Sequence, residues 1–212
     1  MKVIRVDLHK DYADAIREAI RVFRAGGVVV YPTDTFYGLG ANALDEHAVE
    51  KVYRIKHRST TRPVPLVVKN ILWATELAQV TGHAQAILQA IWPGKITAIL
   101  PKKDIIPKIT TAALNTVALR IPDFVFVDKL LGKFGYPLTA TSATLSGEIA
   151  TRNIDEIVEL FTQSNYRPDL VIDVGVLPES GPSTIIDLSG GRPKIVRVGA
   201  AKPEQLMEIL KL

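Results

Sequence analysis

Apolar residues recur along the chain with two spacings, and these predict the order of its helices and strands. Ile16, Ala19, Ile20 and Phe23 lie three or four positions apart, which is typical of one face of an amphipathic helix. The run VVVY at 28–31 follows and is typical of a buried strand. The same patterns predict helices over DEHAVEKVYRIKHR, GHAQAILQAIW, DFVFVDKLLGKFG, NIDEIVELF and KPEQLMEILKL, and strands in MKVIRVDLHKDY, KITAILP, NTVALRIP, YPLTATSA, DLVIDVG and the two halves of STIIDLSGGRPKIVRVG.

The alternation of strands and helices predicts an α/β fold. Some strands are joined by hairpin-like spacings, so we expect a mixed sheet rather than a wholly parallel one. Asp123 is expected to be the N-cap of the helix that follows it. No repeat and no linker rich in Pro, Gly or Ser marks a boundary. We therefore expect residues 1–212 to form a single domain, a twisted, open, mixed sheet flanked by helices.

The composition is that of a globular protein, with 47% hydrophobic and 23% charged residues. No apolar run is long enough to span a bilayer, and the first residues lack the apolar region of a secretory signal, so we expect no membrane association and a cytoplasmic location. The absence of cysteine excludes disulfides, thiolate zinc sites and cysteine nucleophiles.

Positive charge is concentrated in one segment of the chain. Residues 51–103 contain nine Lys and Arg residues but a single acid, Glu76, while the net charge of the whole chain is only +4. Such a segment favours an anionic ligand, either a nucleic acid or a nucleotide phosphate. We expect these residues to contribute to a concave, basic cleft.

The stretch PTDTFYGLGANA follows the predicted strand VVVY. Because Pro32 cannot donate a hydrogen bond to a sheet, Thr33, Asp34 and Thr35 are expected to emerge at the strand end, where open α/β sheets bind ligands. The alternative is a turn in which these side chains bind the local backbone. The glycines do not form a dinucleotide-binding fingerprint, because six residues separate them from the strand.

Two further stretches carry candidate anion ligands. Lys56 and Arg58 lie where a helix gives way to the loop RSTTRP, whereas Lys51 and Arg54 are more simply explained as cations at a helix C-terminus. TATSATLSG combines small and hydroxyl side chains, and Ser142 or Thr144 could donate to a phosphate. The sequence contains no phosphate-binding GxxxxGK[ST] loop, no serine-hydrolase elbow and no paired histidines for a metal.

Four stretches, in this order along the chain, resemble the YrdC-like family of L-threonylcarbamoyladenylate synthases: PTDTFYGLGANA; KHR; WPGKIT with VALRIP; and SATLSG followed by GPSTIID and VRVG. The resemblance extends over essentially the whole chain. It implies that L-threonine and bicarbonate form a carbamate that attacks the α-phosphate of ATP and expels pyrophosphate, the first step of the threonylcarbamoyl-adenosine modification of tRNA. It also implies Mg²⁺ held mainly by the nucleotide, no protein metal site, and a downstream threonylcarbamoyl-transferase machinery.

The resemblance also assigns residues by position. Those expected to contact L-threonine are Thr35, Arg120, Ala140 and Ser183, and those expected to contact ATP or bicarbonate are Lys56, Arg58, Arg62, Thr116, Ser142, Thr144 and Arg197, with Lys56 and Arg58 taken as catalytic. One departure is that the family's Ser-x-Asn is Ser-Ala-Thr here, at 142–144. The chain is most similar to the short, single-domain form of the family.

Two other functions are compatible with the sequence. A non-catalytic module of the same fold could bind double-stranded RNA or tRNA by charge alone, although the basic segment has little aromatic interleaving for stacking bases. A carbamoyl-transferring domain of the kind found in maturation enzymes is the other alternative, but such domains normally belong to far larger chains.

Overall fold

The computed structural model describes residues 1–201 and 203–210 and has an α/β fold with mixed strand directions, as the sequence predicts. The strands are β1 (Lys2–Arg5), β2 (Val29–Tyr31), β3 (Gly38–Gly40), β4 (Leu66–Val67), β5 (Ile96–Pro101), β6 (Thr116–Arg120), β7 (Leu138–Thr139), β8 (Thr141–Ser142), β9 (Leu170–Asp173), β10 (Thr184–Asp187) and β11 (Lys194–Arg197). The helices are α1 (Ala13–Arg24), α2 (Glu46–Ile55), α3 (Ile71–Leu77), α4 (Gly82–Ile91), α5 (Val125–Phe134), α6 (Ile154–Gln163) and α7 (Pro203–Leu210).

These strands form two sheets rather than one. The five-stranded sheet has the order β1-β9-β2-β3-β8, and the six-stranded sheet has the order β11-β10-β5-β6-β4-β7. Both contain parallel and antiparallel pairs; for example, β10 runs parallel to β5 while β6 is antiparallel to it. The stretch YPLTATSA, predicted as one strand, divides into β7 and β8, which belong to different sheets. Ala140 therefore lies where the chain crosses from one sheet to the other.

The predicted amphipathic helix is α1, and its four periodic residues Ile16, Ala19, Ile20 and Phe23 are buried. The Phe23 ring packs against Phe134 of α5, with 5.1 Å between the ring centroids. This face covers one side of the five-stranded sheet, where it joins a core cluster that includes residues of β2 and β9. The apolar periodicity of the helix is thus explained by burial of a single face.

The structure confirms the predicted start of a helix at Asp45 but not the predicted N-cap at Asp123. Asp45 begins α2 as its N-cap, because its carboxylate accepts hydrogen bonds from the N–H groups of His47 and Ala48. The prediction for Asp123 is wrong: the N-cap of α5 is Phe124, one residue later, and it makes no side-chain capping bond. The backbone N–H of Asp123 instead donates to Asp34 Oδ2 at 3.3 Å.

Three short elements were not predicted, namely α3, β3 and β4. Strand β3 consists of Gly38, Leu39 and Gly40, within the stretch PTDTFYGLGANA. Both glycines face the ring of Tyr31 on β2; a Cβ at Gly40 would lie 2.5 Å from Tyr31 Cε1. Glycine is therefore required at both positions, because the Tyr31 ring packs closely against β3 and leaves no room for a side chain there.

The last predicted helix is present as α7, whereas its predicted ends at Lys202, Lys211 and Leu212 lie outside the described residues. Within the described part of the chain, no helix is both long and apolar enough to cross a membrane.

Candidate functional site

A cavity of about 480 Å³ lies between the two sheets and is lined by residues of both. The five-stranded sheet and the loop before β3 contribute Thr33, Thr35, Tyr37 and Ser142, among others. The six-stranded sheet forms the floor, which is described next. Arg58 approaches from the loop after α2. The polar lining therefore combines hydroxyl groups with guanidinium groups, as expected of a site for an anionic ligand.

The floor of the cavity is a row of side chains that crosses five strands. Val67 pairs with Arg120, Thr97 pairs with Ile185, and Ile185 pairs with Arg197. On β5 and β6, Ala98 pairs with Leu119, so one residue further along Thr97 lies beside Arg120. Because neighbouring strands are about 4.8 Å apart, the Cα atoms of Arg120 and Arg197 are roughly 14 Å apart along this row. The two arginines therefore belong to strands near opposite ends of the row.

Arg120 is held by partners from two other segments of the chain. Its Nε donates to Gly94 O at 2.9 Å, Nη1 donates to Thr35 Oγ1 at 3.0 Å, and Nη2 donates to Asp34 Oδ1 at 2.5 Å. Burial lowers the pKa of Arg120, and the Asp34 carboxylate offsets part of that effect. The guanidinium remains charged, and two of its five N–H groups are left for a ligand carboxylate.

The hydroxyl of Thr35 is oriented by Thr33. Thr33 Oγ1 donates to Phe36 O at 2.7 Å, accepts from the Thr35 N–H, and lies 3.1 Å from Thr35 Oγ1. Because the single hydroxyl proton of Thr33 is committed to Phe36, the Thr35 hydroxyl is the donor between the two threonines. The turn interpretation is right for Thr33, whose hydroxyl closes a local turn, whereas Asp34 and Thr35 bind Arg120 of β6. Ligand binding at this strand end stays a prediction.

Lys56 lies beneath the cavity lining and is only 2% exposed. Its Nζ donates to Ser142 O at 2.5 Å and to Thr144 O at 2.6 Å, and its own carbonyl accepts from the Ser146 N–H at 2.8 Å. Burial, reinforced by repulsion from Arg58, lowers the pKa of Lys56 to about 8. The lysine thus fastens the loop at 142–146 to the end of α2 and does not face the cavity.

Arg58 lines the cavity and is positioned by its own loop. Its Nη2 donates to Pro63 O at 3.1 Å and its Nε to Arg62 O at 3.3 Å, and burial lowers its pKa. Arg62 contributes this carbonyl, which also accepts from the Tyr53 hydroxyl, while its side chain is exposed outside the lining. The structure therefore places Arg62 as a backbone support for Arg58.

Arg197 and Ser183 form a second polar group that reaches Thr97, the neighbour of Arg120 in the row. Arg197 Nη2 donates to Ser183 O at 2.6 Å, and the hydroxyls of Ser183 and Thr97 are 2.8 Å apart. Burial lowers the pKa of Arg197. Thr97 is a lining residue that the sequence analysis does not predict. The signal that could have identified it is a lone threonine in the apolar part of the strand KITAILP. Thr97 lies two positions before Ile99, so both side chains are on the same face of the strand and both line the cavity.

The structure brings most of the predicted site residues together. Those that line the cavity are Thr35, Arg58, Arg120, Ala140, Ser142, Ser183 and Arg197. Those that do not are Lys56, Arg62, Thr116 and Thr144. Thr116 shares the face of β6 that carries Ala118 and Arg120 but lies beyond the lining, and Thr144 is buried with its hydroxyl 3.4 Å from that of Ser142. What each residue does toward a ligand stays a prediction.

The cavity lining offers hydroxyl and guanidinium groups, whereas a divalent cation such as Mg²⁺ prefers several oxygen ligands that include carboxylates. In the described part of the chain, no group of three or more His, Cys, Asp or Glu side chains is placed to hold a metal ion. The carboxylate of Asp34, which lies between the lining residues Thr33 and Thr35, is paired with Arg120. Oxygen ligands for Mg²⁺ would therefore have to come mainly from a bound phosphate, as is common for this ion.

Residues 21–199 match the family model of Sua5, YciO and YrdC, which is described as telomere recombination. The chain therefore belongs to the Sua5/YciO/YrdC family. It is 33% identical over 196 residues to the threonylcarbamoyl-AMP synthase of Pyrococcus abyssi, a match that covers 92% of this chain and 57% of that protein. It is 37% identical over 181 residues to the putative threonylcarbamoyl-AMP synthase of Methanocaldococcus jannaschii, covering 85% of this chain and 84% of that protein.

Among solved structures, the crystal structure of P. abyssi Sua5 complexed with L-threonine superposes with a TM-score of 0.90 at 31% identity. The superposition covers 99% of this chain and 60% of the Sua5 chain. The chain thus spans little more than half the length of the Pyrococcus relatives, and the fold of that part is shared.

Proposed function

We propose that this chain synthesises L-threonylcarbamoyladenylate from L-threonine, bicarbonate and ATP, with release of pyrophosphate. The observation that carries the proposal is the arrangement of the cavity floor, where Arg120 with Thr35 occupies one end and Arg197 the other. One end offers a carboxylate partner beside an oriented hydroxyl, and the other offers a cation for phosphate. The named relatives and the L-threonine complex of Sua5 support this assignment.

The proposed reaction asks the protein to hold reactants and to stabilise charge. Bicarbonate takes up a proton and loses water to give CO₂. The threonine ammonium group loses one proton to solvent, its nitrogen forms a bond to the carbon of CO₂ as one C–O π bond opens, and a second N–H proton leaves to solvent, giving a carbamate. A carbamate oxygen then forms a bond to the α-phosphorus of ATP while the bond to the pyrophosphate oxygen breaks. No side-chain nucleophile is needed for either step, which agrees with a lining made of hydroxyls and guanidinium groups.

In this scheme the cavity residues have separate tasks. Arg120 pairs with the threonine carboxylate through its two remaining N–H groups, and Thr35 Oγ1 accepts from the amino group. Arg58 and Arg197 stabilise the negative charge that develops on the phosphoryl oxygens. Lys56 holds the loop of Ser142 in place. When Mg²⁺ is bound with ATP, it neutralises part of the phosphate charge.

Incubation with ATP, L-threonine, bicarbonate and Mg²⁺, followed by measurement of pyrophosphate, tests the proposal. Pyrophosphate release that requires both threonine and bicarbonate is the expected result. Release that is indifferent to threonine, or absent from a folded and ATP-binding protein, would contradict it.

The alternative function, binding of double-stranded RNA or tRNA without chemistry, is less well supported because the relatives named above carry the name of an enzyme. Contact with tRNA and transfer of the product to a threonylcarbamoyl-transferase machinery in the cytoplasm remain part of the proposal. Binding of RNA that falls steeply with salt, with no pyrophosphate release, would favour the alternative.

A further inference from the structure

The three arginines that line the cavity differ in the charge of their partners. Arg58 donates only to carbonyl oxygens, and Arg197 only to the carbonyl and hydroxyl of Ser183. Arg120 alone is paired with a carboxylate, that of Asp34; the described part of the chain contains no other ion pair to a cavity arginine. The net charge at the Arg120 end is therefore near zero, whereas the other two guanidinium groups are uncompensated cations.

The Asp34 side chain, like that of Arg120, is buried and is held by hydrogen bonds. The side chains of Asp34 and Arg120 are 8% and 9% exposed, respectively. Asp34 Oδ1 accepts from Arg120 Nη2 at 2.5 Å, while Oδ2 accepts from the backbone N–H of Asp123 at 3.3 Å. The carboxylate does not itself line the cavity. It can therefore influence a ligand through its negative charge and through the orientation of Arg120, but not by direct contact.

Two of the three substrates of the proposed reaction, L-threonine and ATP, differ in net charge, and the pairing of Arg120 with Asp34 can distinguish them. A free amino acid carries a carboxylate and an ammonium group and has no net charge, whereas a triphosphate or free phosphate is a multiple anion. A second negative charge within a few ångströms of a partly buried cation penalises a multiple anion far more than a neutral zwitterion. Resting on the proposed function, we propose that Asp34 is a positioning and specificity-determining residue that excludes phosphate groups from the Arg120 end and reserves it for the amino acid.

Inhibition by inorganic phosphate tests this role, because phosphate is the simplest probe of a free cationic site. In the wild-type protein, phosphate is expected to compete with ATP and not with threonine. In Asp34→Asn, which keeps the side-chain size but removes the charge, phosphate is expected to compete with threonine as well. The affinity of the Arg120 end for phosphate in this variant should exceed that of the wild type by about tenfold or more.

Asp123→Asn is the matched control, since Asp123 is exposed and contributes only its backbone N–H to the pair. This variant makes the same change in net charge next to the site and should behave as the wild type. Asp34→Glu, which restores the charge, should recover the wild-type pattern at least in part. Asp34→Ser is measured in parallel, so that the test does not depend on the folding of one variant.

Direct calorimetric titration with inorganic phosphate separates this inference from the proposed function. Asp34→Asn should show an additional phosphate-binding event that is absent from the wild type and from the double variant Asp34→Asn/Arg120→Gln. This result can be obtained even if no variant releases pyrophosphate, in which case only the proposed function fails. If folded Asp34→Asn and Asp34→Ser gain neither phosphate binding nor competition with threonine, Asp34 has a structural role only and the inference is overturned.

Discussion

The ammonium nitrogen of Lys56 lies 2.5 Å from the main-chain oxygen of Ser142, although 86 positions separate the two residues. With the second bond to Thr144 O, this contact joins the end of α2 to the loop that follows β8. The sequence presents Lys56 as one of several cations at a helix exit. In the folded chain it is an internal support of the cavity wall.

The buried lysine should leave a signature in the pH dependence of stability. Its folded-state pKa of about 8 lies below its ordinary value of 10.5, so the folded protein binds fewer protons than the unfolded chain between these values. Stability should therefore rise with pH from about 8 to 10.5 relative to Lys56→Met, and the destabilising effect of the charged form should be complete below pH 8. Denaturant unfolding of both proteins across this window measures the difference, and parallel pH curves would refute it.

Removal of either uncompensated cation should stop the proposed chemistry while leaving the fold intact. Arg58→Ala and Arg197→Ala should each reduce the rate of pyrophosphate release on the order of a hundredfold or more, because each removes a group that stabilises phosphoryl charge. Arg54→Ala is the control, since Arg54 is exposed and pairs with Glu50 on α2. A folded Arg58 or Arg197 variant with near-wild-type rates would remove that residue from the site.

The hydroxyl of Thr144 should matter for stability and not for the nucleotide. Thr144 is 4% exposed, lies outside the cavity lining, and has its hydroxyl next to that of Ser142. Thr144→Val, which preserves the shape, should lower the free energy of unfolding by about 0.5–1.5 kcal/mol. Calorimetric titration with a non-hydrolysable ATP analogue should give an affinity equal to that of the wild type. A large loss of affinity without a change in stability would show instead that Thr144 contacts the nucleotide.

Close packing of Tyr31 on β3 can be tested with a single methyl group. Gly40→Ala would place a Cβ against the Tyr31 ring and should destabilise the protein by about 1–3 kcal/mol. Gly82→Ala is a suitable control, because apart from its chain neighbours and the adjacent helix backbone no atom lies within 4 Å of a Cβ at that position. Thermal unfolding of the two variants distinguishes them. Equal melting temperatures would mean that the ring moves aside at no cost.

Local patterns predicted much of this fold, because they record which side of an element is buried. The apolar spacing of α1 and the continuous run of β2 are both direct consequences of burial. The division of YPLTATSA between two sheets could not be predicted, since β7 and β8 differ in their partner strands and not in their own residues. Strand β3 was missed for a related reason: its glycines are selected by the ring of Tyr31, which only the strand pairing brings close.

In the candidate site, too, the sequence predicts individual residues but not the contacts between residues that are far apart along the chain. Motifs identified Thr35 and Arg120 separately, and the structure joins them by a hydrogen bond of 3.0 Å across 85 positions. The depth of a side chain below the surface is not encoded in its neighbours, which is why Lys56 was expected in the lining. For Asp34 the sequence leaves two alternatives open, a ligand-binding strand end and a local turn, and it does not predict the ion pair because the partner, Arg120, is remote in sequence.

The central claim, that the Arg120 end of the cavity binds the amino acid, is tested most directly by the Michaelis constants of Arg120→Lys. Arg120 makes three hydrogen bonds to fixed partners and keeps two N–H groups free, a geometry that a lysine ammonium cannot reproduce. Initial rates of pyrophosphate release should show a KM for L-threonine raised by about tenfold or more, with a KM for ATP within about twofold of the wild type. An unchanged threonine KM in the folded variant, or an equal rise in both constants, would contradict the account.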